Sequence, residues 1–289
     1  MIVFTRLRIM IRIFFISMTV FLLSFCTVSC TKKIKEKVDT VSFKTVTVKE
    51  EHHLNDNVKN PVLSIELIYQ YPTAYSDDSI LKKIRKIMLA DFLPNVVADT
   101  ATQPEIAMRT YINGKIKVYE SSEDIIKDED MQDSDAQPEV AWKDNTSLLI
   151  RFNASGLLSY TVESNQNSGG AHGGTTFRNS IIDLKTGDKL GEGDLFTEAS
   201  LPLINDIILK KLESQNKVET PEELEQIGYF DVSQIAQYKN IYLTSDGLVY
   251  TFNEYEIAAY AVGTVEVKLT FKDLEGFIFP GSPLEKYIR

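Results

Sequence analysis

Apolar and polar residues alternate along Val41-Ser42-Phe43-Lys44-Thr45-Val46-Thr47-Val48, and a period of two predicts a strand with one buried face. Residues 62–71 read as a second strand, which Pro72 is expected to end. The period then lengthens. Ile80, Leu81, Ile84, Ile87 and Met88 recur at helical spacing behind N-cap candidates at 76–79, so an amphipathic helix should run to about Leu93-Pro94. The next stretch reads two ways: Asn113-Gly114 suits a two-residue hairpin turn, while Met108, Ile112 and Tyr119 suit a helix.

Residues 146–153, 157–163 and 175–184 read as three strands of a meander, with turns at Ala154-Ser155-Gly156 and Lys185-Thr186-Gly187-Asp188. Leu201, Ile204, Ile207, Ile208 and Leu212 predict a helix with Ser200 as its cap and Pro202 in its first turn. A short helix over 221–226 should follow. Strands resume at 240–244 and 248–252, joined by Ser245-Asp246-Gly247, and at 264–271. No period of about 20–50 residues recurs, so a solenoid or propeller is not expected. This order predicts an α+β fold, a largely antiparallel sheet with helices packed on one side.

The ends bear on location. Arg6, Arg8 and Arg12 precede an apolar run over 13–25, which is short for a bilayer span of about 20 residues. Thr27-Val28-Ser29-Cys30 followed by Thr31-Lys32-Lys33 resembles a bacterial lipobox. The expectation is a lipoprotein signal peptide over 1–29, lipidation (palmitate) at Cys30 as the membrane anchor, and a Lys-rich tether over 30–40. An uncleaved anchor with Cys30 an ordinary cysteine is the alternative. Cleavage would remove Cys26, leaving no free thiol, and would take the net charge from −10 to −13 with the loss of Arg6, Arg8 and Arg12. Nucleic acid is not an expected partner of so acidic a chain. Nine acidic residues against Lys127 alone between Glu120 and Glu139 suggest a mobile acidic loop. No acidic run follows Cys30, so attachment to the outer membrane or cell membrane, facing the periplasm, is expected.

Asn167-Ser168-Gly169-Gly170-Ala171-His172-Gly173-Gly174 interrupts a strand-like run, and glycine at that density marks positive φ or close backbone approach. With Leu157-Leu158-Ser159 before it and Ile182-Asp183-Leu184-Lys185-Thr186-Gly187, Asp194-Leu195-Phe196 and the run from Tyr255-Glu256-Ile257 to Gly263 after it, the order of motifs resembles one bacterial domain. It is the extracytoplasmic C-terminal domain shared by RsiV-type anti-sigma factors and PdaC-type peptidoglycan deacetylases. The resemblance is strongest over 148–274, which suggests a domain over 146–289 preceded by an N-terminal α+β portion over 41–145. It also favours a helix around Tyr111, because the family tends to place helices between its early strands and its central motif. In the RsiV branch the domain is a receptor for lysozyme; in the PdaC branch the deacetylase chemistry belongs to a separate catalytic domain. Family members often carry aromatic residues where this chain has Asn165 and Asn167, and proline where it has Ala259. No sigma-binding region, spanning helix or deacetylase domain is recognisable in the chain, so an anti-sigma factor of the usual layout is not expected.

Candidate chemistry is sparse. His172 could serve as general base or metal ligand, or could lock a turn by bonding backbone carbonyls. His52 and His53 are adjacent and so point to opposite faces of a strand. No spacing of three or four converging ligands suggests zinc, so no metal or cofactor is assigned. Asp183 and Asp194 could form a glycosidase pair or satisfy turn amides. The acidic run at Asp128, Asp130, Asp133 and Asp135 lacks the glycine and terminal glutamate of a calcium loop. Ser159 lacks a Gly-x-Ser-x-Gly setting. Tyr255 and Tyr260 suit either a core or a recognition surface. The ligand-binding candidates are His172, Gly170, Gly173, Tyr255 and Tyr260, and no catalytic residue is assigned. The expected function is a non-enzymatic, membrane-anchored binding module for a lysozyme-like protein or cell-wall peptidoglycan glycan. The alternative is a cell-envelope enzyme acting on glycan with His172 and a nearby carboxylate.

Overall fold

The computed structural model describes residues 40–96, 103–122, 140–169, 172–230, 232, 235 and 239–288. The expected signal peptide, Cys30, the tether up to residue 39, Gly170 and residues 123–139 of the acidic run lie outside the described residues. Strand β1 (Ser42–His53) pairs antiparallel with β2 (Val62–Ala74). The chain then passes through α1 (Asp78–Phe92) and α2 (Pro104–Glu120) before β3 (Trp142–Ala154), which pairs with β2 in parallel. A parallel neighbour requires such a crossover. Strands β4 (Leu157–Ser168), β5 (Gly174–Asp183) and the short β6 (Lys189–Leu190) add on antiparallel, completing a six-stranded sheet in the order β1-β2-β3-β4-β5-β6.

Pro72 does not end β2. It sits opposite Phe43 beside a register shift, and β3 pairs with β2 only along Leu63–Ile68, so the missing amide costs no ladder bond to β3. The Asn113-Gly114 segment lies in α2, where burial of Ala107, Met108, Ile112 and Tyr119 at helical spacing outweighs the turn propensity. A Cβ at Gly114 would meet nothing within 4 Å, so its glycine serves no packing need. Helix α1 is capped by Asp77, whose side chain accepts from the Ser79 and Ile80 amides at 2.8 and 3.1 Å.

Two hydrophobic cores flank this sheet. Leu81, Ile84, Met88 and Phe92 of α1 and the buried side of α2 cover one face, against Leu63, Ile65, Leu67 and Tyr69 of β2 and Leu158, Tyr160 and Val162 of β4. Leu157 and Ile181 belong to the other core. There they meet α3 (Leu201–Asn216), α4 (Pro221–Gln226), a three-stranded antiparallel sheet of β7 (Ile241–Leu243), β8 (Gly247–Phe252) and β9 (Val265–Thr270), and the short α5 (Phe271–Leu274). The fold is α+β and mostly antiparallel, with its strands in two sheets. Residues Val38–Arg289 form one compact unit, and residue 146 falls within β3. Ser200 does not cap α3 with its side chain. It ends a 3-10 turn and shares a 2.6 Å hydrogen bond with Thr197.

Amide side chains join the layers. Ser159 Oγ accepts the Leu243 amide at 2.9 Å and donates to the Ser180 carbonyl, linking β7 to β4 and β5. Along 174–180 the edge of β5 away from β4 pairs with no strand among the described residues. Its amides go to side chains instead: Phe177 N to Asn253 Oδ1 at 2.7 Å and Asn179 N to Asn240 Oδ1 at 2.8 Å. The Phe177 carbonyl in turn accepts from Asn240 and Asn253 Nδ2. An asparagine offers one acceptor and two donors on a rigid amide, so it imitates the backbone of a neighbouring strand.

Glu192 lies at the join of the second core. Its side chain is 8% exposed, accepts from Tyr250 OH at 2.9 Å and stands 3.9 Å from Lys239 Nζ. Burial raises its pKa above the ordinary 4.5, against the opposing pull of Tyr250 and Lys239. The folded state therefore holds this proton more tightly than the unfolded chain. The resulting stabilisation is full below pH 4.5 and is lost as pH rises through the folded value. Glu192→Gln should flatten this part of the stability profile in urea titrations from pH 4 upward, and an unchanged slope would place the titration elsewhere.

Candidate functional site

The glycine-rich segment connects β4 to β5. Gly169 has φ +91°, and its amide donates to Asn167 Oδ1 at 3.0 Å. Gly173 has no positive φ; its requirement is steric. A Cβ there would stand 2.9 Å from the Gln166 carbonyl oxygen and 3.3 Å from Asn167 Cβ. The two glycines thus serve different needs, a left-handed backbone and a close strand approach.

Beyond β8, residues 253–263 fold back over this connection. Asn253 N donates to Glu256 Oε2 at 2.7 Å, Glu256 N to the Asn253 carbonyl, and Tyr255 N to the Ala258 carbonyl, which makes a tight turn. Ile257 and Ala258 are buried and bind the turn to the second core. Tyr255 is driven outward, 64% exposed, at φ +67°, a region that tyrosine rarely occupies. Its ring stacks on Tyr260 at 5.9 Å between centroids, and Tyr260 meets His172 at 5.4 Å. Tyr260 OH donates to the Gly173 carbonyl at 3.0 Å. Glu254 Oε2 reaches the Thr175 amide at 3.4 Å.

Four of the five binding candidates, His172, Gly173, Tyr255 and Tyr260, therefore converge, and Gly170 lies outside the described residues. His172 is exposed and makes no hydrogen bond among the described residues, whereas Tyr260 bonds the Gly173 carbonyl beside it. No carboxylate of the described residues lies at ion-pair distance from His172. His52 Nε2 stands 3.3 Å from Glu120 Oε1, and His53 Nδ1 is 2.8 Å from the Asn60 carbonyl, so the two face different surroundings. Asp183 accepts the Lys185 amide and Asp194 the Gly191 amide, both at 2.8 Å, as turn residues do. Among the described residues no group of three or more His, Cys, Asp and Glu side chains is placed to hold a metal ion.

Beside this platform opens a polar cleft that periodicity and motif could not reveal, because its residues come from five elements. Asp144 lies beneath it with its side chain 4% exposed, accepting from Tyr111 OH at 2.6 Å and Gln166 Nε2 at 3.1 Å and paired with Lys115 Nζ at 2.8 Å. Burial, together with this bond to Asp144, holds the Tyr111 phenol neutral, far above its usual range. No sequence signal singled out Gln166, which is one of several polar residues at the end of β4.

Residues 56–175 match the family described as Deacetylase PdaC, and residues 193–272 match a family described as a protein of unknown function, DUF3298. No curated protein matches the chain. Among solved structures, a DUF3298-family member from Bacteroides fragilis is similar at 22% identity with a TM-score of 0.75, over 86% of this chain and 97% of that one. A DUF3298-family protein from Pseudomonas aeruginosa PAO1 is similar at 16% identity with a TM-score of 0.56, over 84% and 97%. The tandem family matches support the PdaC/RsiV-like C-terminal domain read from the motifs and indicate an extracytoplasmic, cell-envelope domain, while these neighbours share its fold. No helix among the described residues is long and apolar enough to cross a membrane.

Proposed function

We propose that this cell-envelope domain, a PdaC-type segment followed by a DUF3298 segment, is a lipid-anchored, non-enzymatic binding module that docks a basic, lysozyme-like protein on the platform of His172, Tyr260 and Tyr255. The observation that supports it is Tyr255, held 64% exposed at φ +67° and stacked on Tyr260. A strained backbone of this kind costs about 1–3 kcal/mol, and here it serves to present an aromatic ring to solvent. Exposed tyrosine is the residue type that anchors protein interfaces. Glu254 and Glu256 flank it in a chain of net charge −10, which favours a cationic partner. Cys30 would hold the module at the membrane, facing the periplasm.

The test is binding of the purified protein to lysozymes and, separately, to purified peptidoglycan. Tyr255→Ala should weaken lysozyme binding about tenfold or more while leaving the melting temperature near that of the parent, and binding should weaken with salt. Retention on peptidoglycan alone would transfer the reading to a glycan ligand. Binding to neither would remove it. His172→Ala separates the enzyme alternative: loss of turnover on a glycan substrate with the fold intact would favour catalysis.

A further inference from the structure

Between the end of α1, the middle of α2 and strands β3 to β5 lies a cleft of about 340 Å³, within the range of small-ligand sites. Among the described residues its lining carries two cations, Lys115 and Arg178, and no carboxylate. Lys115 is already neutralised by Asp144, which also accepts from Thr146 Oγ1 at 3.2 Å. Arg178 has no such partner among the described residues. Its Nη2 donates to the Asp91 carbonyl at 3.0 Å, but the Asp91 carboxylate is occupied by Lys189 Nζ at 2.6 Å, Tyr160 OH at 2.6 Å and Ser180 Oγ at 2.9 Å. Arg178 Nε is buried and donates to nothing among the described residues. Glu254 comes within 3.6 Å of a Cβ position on Gly174 but is not part of the lining.

Two carboxylates, Asp91 and Asp144, thus meet three cations, and the surplus charge rests on Arg178 in an otherwise acidic chain. A half-buried guanidinium without a counterion is costly, and its planar fork matches a carboxylate. Around it Tyr111 offers ring surface, Phe92 lies buried behind it, and Asn95, Gln166 and Thr176 offer hydrogen-bonding groups. Ring surface beside convergent amides and hydroxyls suits the alternating apolar faces and hydroxyl edges of a sugar.

We propose that this cleft binds a saccharide carrying a carboxylate, a uronic acid being the simplest case, with the carboxylate on Arg178 and the ring against Tyr111. The site is distinct from the tyrosine platform, so loss of protein docking there leaves this proposal standing. Titration calorimetry of the purified protein with glucuronate and galacturonate should show saturable binding, at least tenfold weaker for glucose, galactose and acetate. Arg178→Gln should weaken uronate binding about ten- to hundredfold. Asn95→Asp, at an exposed rim position, should weaken it as well by charge repulsion, and it guards against misfolding of the arginine variant. Tighter binding of digalacturonate would point to a polymer end and equal binding to the free acid, both in support. Equal affinity for neutral sugars or acetate, unchanged affinity in Asn95→Asp and Arg178→Gln, or no binding at millimolar uronate would overturn it.

Discussion

Gly247→Ala is expected to lower stability by about 3 kcal/mol or more. Gly247 opens β8 directly opposite Thr270 of β9. A Cβ there would overlap the Leu269 carbonyl oxygen and lie 2.8 Å from Thr270 Cα and 2.9 Å from Leu269 C. All three are backbone atoms of a paired strand, so no side chain can rotate away; relief requires β9 to move. That strand also bears Val267 and Leu269, both fully buried in the second core. For a domain of this size the melting temperature should drop by about 6–12 °C. Parent-like melting would mean that the β8–β9 pairing is looser than these distances imply.

The double variant Asn240→Ala, Asn253→Ala should destabilise by about 2–6 kcal/mol, since it orphans two amides at about 1–3 kcal/mol each. The affected groups are Phe177 N and Asn179 N, with the Phe177 carbonyl losing two donors. A second consequence follows from the same geometry. Stripped of its side-chain cover, the edge of β5 becomes a free pairing template, so the variant should self-associate on concentration in sedimentation experiments. The single variants should each show a smaller loss. If the double variant is as stable and monomeric as the parent, the asparagines do not guard this edge.

Much of the local structure was legible along the chain, because it depends on short-range periodicity. The alternation at 41–48 and the helical spacing from Ile80 to Met88 each register one buried face, and these became β1 and α1. Turn chemistry was similarly local, as with Asp183 on the Lys185 amide. Pro72 misled because proline stops a strand only where a neighbour needs its amide, and whether β3 reaches that far is a matter of register. Ser200 misled because a 3-10 turn ahead of α3 gave its hydroxyl another partner.

The site divides in the same way. The glycine segment and the 253–263 run were visible as motifs, and four of the residues chosen from them meet. What bonds to what was decided in three dimensions: Tyr260 reaches Gly173 across 87 positions of sequence, while His172 stays exposed. Asn253 reads as an ordinary loop residue until β5 is placed beside it with an outer edge that no described strand pairs. Arg178 reads as one cation among many in an acidic chain; only the folded arrangement gives Lys115 and Lys189 their carboxylates and leaves Arg178 without one among the described residues. Periodicity records which face of an element is buried, so the sequence by itself determined the elements and their cores. Hydrogen-bond partners and charge balance depend on which elements become neighbours, and that was settled by the tertiary structure alone.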